Sequence, residues 1–448
     1  MTKLKQGIKL LGVLLIGGLF AVFFLNYPKL DIITGYSSKS NCSCTYIAGR
    51  PEAFTDSVDN NFSPVNLADD RVSRSEQAAY ASLVGLKKRK ARFFPELGCI
   101  LMPPQQDELT FSERPLRSRS TTSLPFPYGT AEPRDTVFPE VNYGLLTETI
   151  ENAFAGNELQ QTRAVLVVYK DRIIAEKYAP GFDKSSIHLG WSMTKSITAT
   201  LYGILKHKSQ FDLDQPAAVE EWQQDDRSKI TYHHLLQMSS GLAWEEDYSR
   251  ISDVTEMLFT ATDMAGVASR KELLHEPGEH FYYSSGTTNL LSGLLKDEFP
   301  DLQSYLNFPY EALIDKIGMN SMIMETDASG TFVGSSYSWA TARDWAKFGL
   351  LYLHKGHWNG EQIFSEDWAD YVSTPAADSE GTYGAQFWLN ASGVMPDAPR
   401  DTYYADGYQG QRVYIIPSKD LVIVRLGLTN GDYFDGNGLA GGVSKAIQ

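Results

Sequence analysis

The chain has 448 residues, of which 42% are hydrophobic, 12% aromatic and 21% charged. That is enough apolar material for a sizeable core and too much for a disordered chain. A net charge of −15 makes the chain a poor nucleic-acid binder, because phosphate binding wants a basic surface. Three cysteines are too few for a disulfide scaffold or a cysteine-based zinc site.

Leu10 to Leu25 is an unbroken run of sixteen apolar residues and glycines behind Lys3, Lys5 and Lys9. A secretory core is about 7–15 residues long and a spanning helix about 20, so this run falls between them. Ile8 and a snorkelling Lys9 lengthen it toward a span, and the lysines before it fit the positive-inside rule. No small-residue cleavage site follows at once; Asn26-Tyr27-Pro28-Lys29 stand there. The expectation is an uncleaved signal anchor over residues 1–27 in the cytoplasmic membrane, with the body of the protein periplasmic or extracellular. A cleaved signal peptide is the alternative. An exported chain admits a disulfide. Cys42–Cys99 is the preferred pair, with reduced, buried cysteines as the alternative.

Residues 28–139 read as an extension that wraps the main domain without folding alone. Pro103-Pro104, Pro115, Pro125, Pro127 and Pro133 mark irregular, extended chain. Lys87-Lys88-Arg89-Lys90 reads as a solvated turn or helix face. The main domain is placed at 140–448. Tyr143 to Phe154 predicts an amphipathic helix. Ala164–Tyr169 and Arg172–Glu176 predict a hairpin closed at Lys170-Asp171. A helical pattern runs from Ser192 to Lys206, with Met193, Ile197, Leu201 and Leu205 on one stripe. Further helices are expected between 231 and 355, one of them capped at Thr341 with Asp344 three residues on. Strands follow at Arg412–Ile416 and Leu421–Leu426, then a Gly-containing helical tail. Strands at both ends of a helical middle predict an α/β (α+β) architecture: one antiparallel sheet built from distant segments, with helices packed on it.

Ser192-Met193-Thr194-Lys195 is the one Ser-x-x-Lys in the chain. Ser192 opens a predicted helix, and residues three apart share a helix face, so the Lys195 amine can reach the Ser192 hydroxyl. A helix N-terminus favours negative charge on that oxygen, and burial lowers a lysine pKa toward that of a neutral base. These are the requirements of an activated serine nucleophile. An N-cap serine followed by a solvent lysine is the bland alternative. Pro277 to Gly286 includes Tyr283, placed just before an apolar helix and able to shuttle a proton. Asp406-Gly407-Tyr408-Gln409-Gly410-Gln411 leads into a strand, and a glycine-flanked strand edge can offer a backbone N–H to an oxyanion. Trp191, Tyr337, Trp339, Trp388 and Tyr408 are candidates for a pocket lining or for core. Glu245-Glu246-Asp247 reads as a solvated loop, with a cationic substrate end as the alternative. Gly436, Gly438 and Gly441 spell a dinucleotide fingerprint, but only seven residues follow, so the stretch is read as a flexible tail. No histidine has metal-ligand spacing, and no cofactor or metal is expected.

The order and spacing of these motifs resemble the penicillin-recognising serine hydrolases: class C β-lactamases, DD-peptidases and related esterases. Gly190-Trp191-Ser192-Met193-Thr194-Lys195-Ser196, His234 to Leu242, Tyr283-Ser284-Ser285, Gly330 to Tyr337 and Ala340-Thr341-Ala342-Arg343 are most similar to the 6-aminohexanoate-dimer hydrolase branch. The resemblance covers residues 140–448 and implies a β-lactamase/transpeptidase-like fold: a central antiparallel sheet with helices on both faces and a helical subdomain. It implies Ser192 as the nucleophile, Lys195 as its base and Tyr283 as the proton shuttle. It also implies backbone N–H groups of Ser192 and Tyr408, the latter after Gly407, as the oxyanion hole, with Ser285 binding substrate or steadying Lys195. Two departures stand out. The usual Lys-Thr-Gly or His-Thr-Gly is Ala405-Asp406-Gly407 here, which would repel substrate carboxylates. Tyr-x-Asn is Tyr283-Ser284-Ser285, which lacks the amide. Both favour a carboxylesterase or amidase. A DD-peptidase or weak β-lactamase, and an idle ligand-binding homologue, are the alternatives. The sequence carries no signal of oligomeric state.

Overall fold

The computed structural model describes residues 17–18, 27–429, 431 and 433–448. Apart from Gly17 and Gly18, the apolar run Leu10–Leu25 lies outside the described residues. Among the described residues no helix is long and apolar enough to cross a membrane. The chain forms two units. The smaller takes the described residues of Met1–Phe93 with Cys99–Glu108 and Asp247–Thr262; the larger takes Phe94–Gly98, Leu109–Glu246 and Asp263–Gln448.

The smaller unit has regular structure after residue 28, ahead of the prolines from Pro103 on that mark extended chain. Helix α1 (Lys29–Tyr46) accompanies a four-stranded sheet, β1 (Asp69–Ser73), β2 (Ala78–Leu83), β3 (Leu86–Phe94) and β4 (Gly98–Leu101), in that order. The buried face of α1 is polar: Thr34, Ser37, Ser38 and Asn41 are fully buried. Ser37 Oγ and Asn41 Nδ2 both donate to Asp70 on β1, at 2.5 and 2.6 Å. Such a face leaves no apolar stripe at helical spacing, the signal on which a sequence reading depends. Cys42 and Cys99 are joined as preferred, with Cα atoms 5.9 Å apart. They are packed among Ala79, Ala91 and Leu101, while Cys44 is a buried thiol outside the disulfide, met by Arg50 Nη1 at 3.6 Å. The basic run lies on β3, neither turn nor helix. Strand alternation turns Arg89 inward, where its guanidinium donates to the Phe259 carbonyl at 2.9 Å.

Residues 109–139 are extended, as their prolines require, and they are tied along the larger unit. Arg117 forks onto Asp315 at 2.8 and 2.9 Å, and Ser118 N–H donates to the same carboxylate. After helix α2 (Tyr143–Phe154), capped by Asn142, come β5 (Thr162–Tyr169) and β6 (Arg172–Tyr178). Lys170 and Asp171 both take positive φ between them, as a two-residue hairpin turn demands. Helices α3 (Met193–Ser209), α4 (Ser285–Asp297) and α5 (Ala342–Leu353) follow, the last capped by Thr341 through Asp344 N–H. The chain closes with β7 (Trp388–Leu389), β8 (Tyr403–Gly407), β9 (Gln411–Ile416), β10 (Leu421–Gly427) and helix α6 (Gly436–Ala446).

The antiparallel sheet runs β7-β8-β9-β10-β5-β6. Every residue of β5 is buried, because both faces of the sheet are covered. Val165, Val167, Ile423 and Tyr414 join Leu146 and Ile150 of α2 and Leu439 and Val443 of α6 in one core. On the other face lies α5, where a Cβ on Gly349 would stand 2.6 Å from Val422. The glycine-rich end is a packed helix and not a flexible tail. Asp435 caps it, and a Cβ on Gly442 would meet Thr149 of α2 at 2.6 Å. Gly442 thus serves close approach between the two helices. The expected stripe on α3 is also too narrow, since every residue from Met193 to Ile204 is buried.

Candidate active site

Ser192 is presented by a strained turn. Trp191 takes φ 48°, a left-handed conformation rare for a bulky residue. Gly190 has room for no side chain, as its Cβ would lie 2.4 Å from the Trp345 ring. Ser192 occupies the N-cap position of α3, yet its side chain makes no capping bond. Its hydroxyl meets Lys195 Nζ instead, at 2.9 Å. The bland alternative for the tetrapeptide is therefore excluded.

Lys195 is 1% exposed. Besides Ser192, it bonds Ser285 Oγ at 2.9 Å and the Ser335 carbonyl at 3.0 Å. Burial lowers its pKa to about 8, against the opposing pull of Glu246 and Asp406. Its Nζ sits 4.8 Å from the centroid of the Tyr283 ring. Tyr283 is held between Trp388, at 5.4 Å, and Tyr383, at 5.8 Å. In Tyr283-Ser284-Ser285 the two serines divide the labour. Ser284 Oγ caps α4 by accepting from Thr287 N–H, and Ser285 faces Lys195. A Cβ on Gly407 would lie 2.2 Å from the Gly190 carbonyl, so the end of β8 abuts the turn that carries Ser192. Tyr408, the next residue, is 37% exposed and packs edge-on against Trp191, with centroids 5.6 Å apart.

The structure thus gathers Ser192, Lys195, Tyr283, Ser285, Gly407, Trp191, Trp388 and Tyr408 in one place. Tyr337 joins them through the Trp191 ring, with centroids 6.2 Å apart, and is itself buried at 3% exposure. Trp339 is core, its indole donating to Glu325. The solvated-loop reading of Glu246 is overturned. Its carboxylate accepts from Ser285 Oγ at 2.5 Å, Ser285 N–H at 2.9 Å and Trp244 Nε1 at 2.6 Å. Its neighbours in sequence gave no sign of this, because the Ser285 donors come from 39 residues away. Asp406 also differs from expectation: it is paired with Arg412 across β8 and β9, so the site does not hold an unopposed negative charge. Among the described residues no cluster could hold a metal ion.

The sequence pattern of the Beta-lactamase family matches residues 152–444, more than half of the chain. The chain belongs to this family. It is a serine hydrolase with the β-lactamase/transpeptidase-like fold. Among curated relatives, 6-aminohexanoate-dimer hydrolase of Paenarthrobacter ureafaciens is 24% identical over 59% of this chain and 72% of its own. Among solved structures, a Bacillus anthracis protein assigned as a 6-aminohexanoate-dimer hydrolase superposes with a TM-score of 0.58. It is 21% identical and covers 74% of this chain and 88% of that one. A family VIII carboxylesterase superposes at 0.53, with 12% identity over 70% and 99% of the two chains.

Proposed function

We propose that this family member cleaves an ester or amide bond through an acyl-enzyme on Ser192. The observation that carries the reading is the buried Lys195 amine on the Ser192 hydroxyl. With its pKa near 8, Lys195 is neutral often enough to serve as a base. Ser192 Oγ attacks the substrate carbonyl carbon while its proton passes to Lys195 Nζ. The oxyanion so formed lies against the backbone N–H groups of Ser192 and Tyr408. The proton then travels by way of Tyr283 to the leaving oxygen or nitrogen, and the C–O or C–N bond breaks. Water, giving its proton back along the same route, hydrolyses the acyl-enzyme.

The Asp406–Arg412 pair supports a substrate without a carboxylate at that end, because no free cation replaces the family's usual one. A DD-peptidase or weak β-lactamase is the second reading, favoured by the same pairing to the extent that it removes the repulsion. The test is to offer a short-chain p-nitrophenyl ester and a chromogenic cephalosporin to the protein and to Ser192→Ala. Ester turnover that falls on the order of 10³-fold or more in the variant, with no cephalosporin turnover, is the expected result. Cephalosporin turnover selects the second reading, and equal rates in both proteins refute the Ser192 acyl-enzyme.

We propose in addition that Leu10–Leu25 anchors the protein in the cytoplasmic membrane with the catalytic unit outside. The Cys42–Cys99 disulfide, at home in an oxidising compartment, supports this placement. The expected result is recovery of the full chain in the membrane fraction and release on deletion of residues 1–27. A soluble full-length chain refutes it.

A further inference from the structure

A neutral lysine amine has two N–H donors and one lone pair. In this site Nζ meets three oxygens: the Ser335 carbonyl, Ser285 Oγ and Ser192 Oγ. The first can only accept. A hydroxyl such as Ser285 can donate or accept, with one proton to give. That proton is already committed: Ser285 Oγ donates to Glu246 at 2.5 Å, and an ionised carboxylate has only lone pairs to offer. Ser285 Oγ must therefore accept from Nζ. Both N–H groups of the neutral amine are then occupied, and its lone pair is left facing the Ser192 hydroxyl.

We propose that Glu246 is a positioning residue that, through Ser285, fixes the hydrogen-bond polarity of Lys195 so that its lone pair addresses Ser192. This rests on the acyl-enzyme reading above. Glu246 is itself held rigid for the task. Trp244 Nε1 and the free backbone N–H of Ser285, at the start of α4, fix one carboxylate oxygen and leave the other for the Ser285 hydroxyl. Trp244 can approach because residue 286 is glycine: a Cβ there would stand 2.4 Å from the indole ring. Three groups face Lys195 with charge or a titratable hydroxyl: Glu246 from the loop before the smaller unit's insertion, Asp406 from β8 and Tyr283 from the approach to α4. Of these, Glu246 is bonded to Ser285, a ligand of Nζ.

Glu246→Gln keeps the shape but offers Ser285 a donor as readily as an acceptor, and it removes a charge that favours the ammonium form. Ester turnover should fall about tenfold or more in kcat with KM little changed. The acidic limb of the kcat/KM profile should move to lower pH. Ser285→Ala breaks the relay but keeps the carboxylate; kcat should fall by a similar factor while the limb moves less. Glu246→Asp should restore part of the rate and return the limb toward its original position. A Glu246→Gln protein with unaltered kcat and an unmoved limb overturns the proposal. If that variant does not fold, Ser285→Ala decides, and an unaltered kcat there overturns it equally. Failure of the underlying reading is distinguishable, because then Ser192→Ala itself remains active.

Discussion

Two regions of the larger unit each bury a cation, and they treat it differently. Around Lys195, the partners are two serine hydroxyls and a carbonyl, with carboxylates at a distance. Around Arg425, 0% exposed on β10, the guanidinium forks onto the carbonyls of Gln160, Gln409 and Gly410 and onto the hydroxyls of Thr162 and Thr429. Burial lowers both, Lys195 to about 8 and Arg425 to about 9. A lysine so shifted becomes a usable base, whereas an arginine starts from a much higher value and stays charged near neutrality. Lys195 therefore suits proton transfer, and Arg425 suits a permanent staple. What Arg425 staples is the turn after β8, because Gln409 and Gly410 follow Tyr408 directly. The glycines make room for it: a Cβ on Gly427 would stand 2.5 Å from the guanidinium carbon.

Three substitutions sharpen or break this contrast. Arg425→Met should have the largest effect on stability. It removes the guanidinium donor from the Gly410 carbonyl and one of several donors from the Gln160 and Gln409 carbonyls, which keep Thr429 and Gln411, for a loss of about 1–3 kcal/mol in denaturant melts. The folded fraction should keep the acidic limb of the wild-type pH profile, and a moved limb would assign Arg425 a part in the chemistry.

Lys195→Met should abolish ester turnover and yet relieve a cost. The folded pKa of Lys195 lies below the unfolded value near 10.4, so the unfolded chain binds more protons between about pH 8 and 10.5. Wild-type stability thus carries this penalty in full below about pH 8 and sheds it as pH rises through that window. The variant carries none. Its stability relative to wild type should fall by up to about 3 kcal/mol between pH 7.5 and 10.5. A pH-independent difference would mean that Lys195 is not shifted.

Asp406→Asn should be the smallest perturbation. Asp406 holds the Lys195 ammonium in place weakly, since Arg412 opposes its charge. Its loss should lower the acidic limb by less than about one pH unit. A larger shift would show that Asp406 outweighs Glu246 in setting Lys195.

The sequence by itself determined a good deal. Local rules sufficed for α2, for the β5–β6 hairpin with its two left-handed turn residues, and for the capped α5. The Ser192–Lys195 contact was legible because the two residues are one helical turn apart, a spacing that any helix converts into a contact. Tyr283 and the β8 edge were legible only through the order of motifs, since nothing local joins residues 283 and 408 to 192. The smaller unit was not legible, because α1 is held by serines, Asn41 and a disulfide and offers no apolar period.

Three matters belonged to the tertiary structure alone. Glu246 looked like one acid in an acidic loop until α4 brought Ser285 against it. Asp406 looked like an exposed repulsive charge until strand pairing set Arg412 beside it. The glycines of the helical tail looked unconstrained until α6 was seen to bring Gly442 against Thr149 of α2 and Gly436 against Arg412 of β9. The physical reason is common to all three. A charge or a missing side chain has no meaning in isolation, since its energy depends on what lies within a few ångströms, and those neighbours come from elsewhere in the chain.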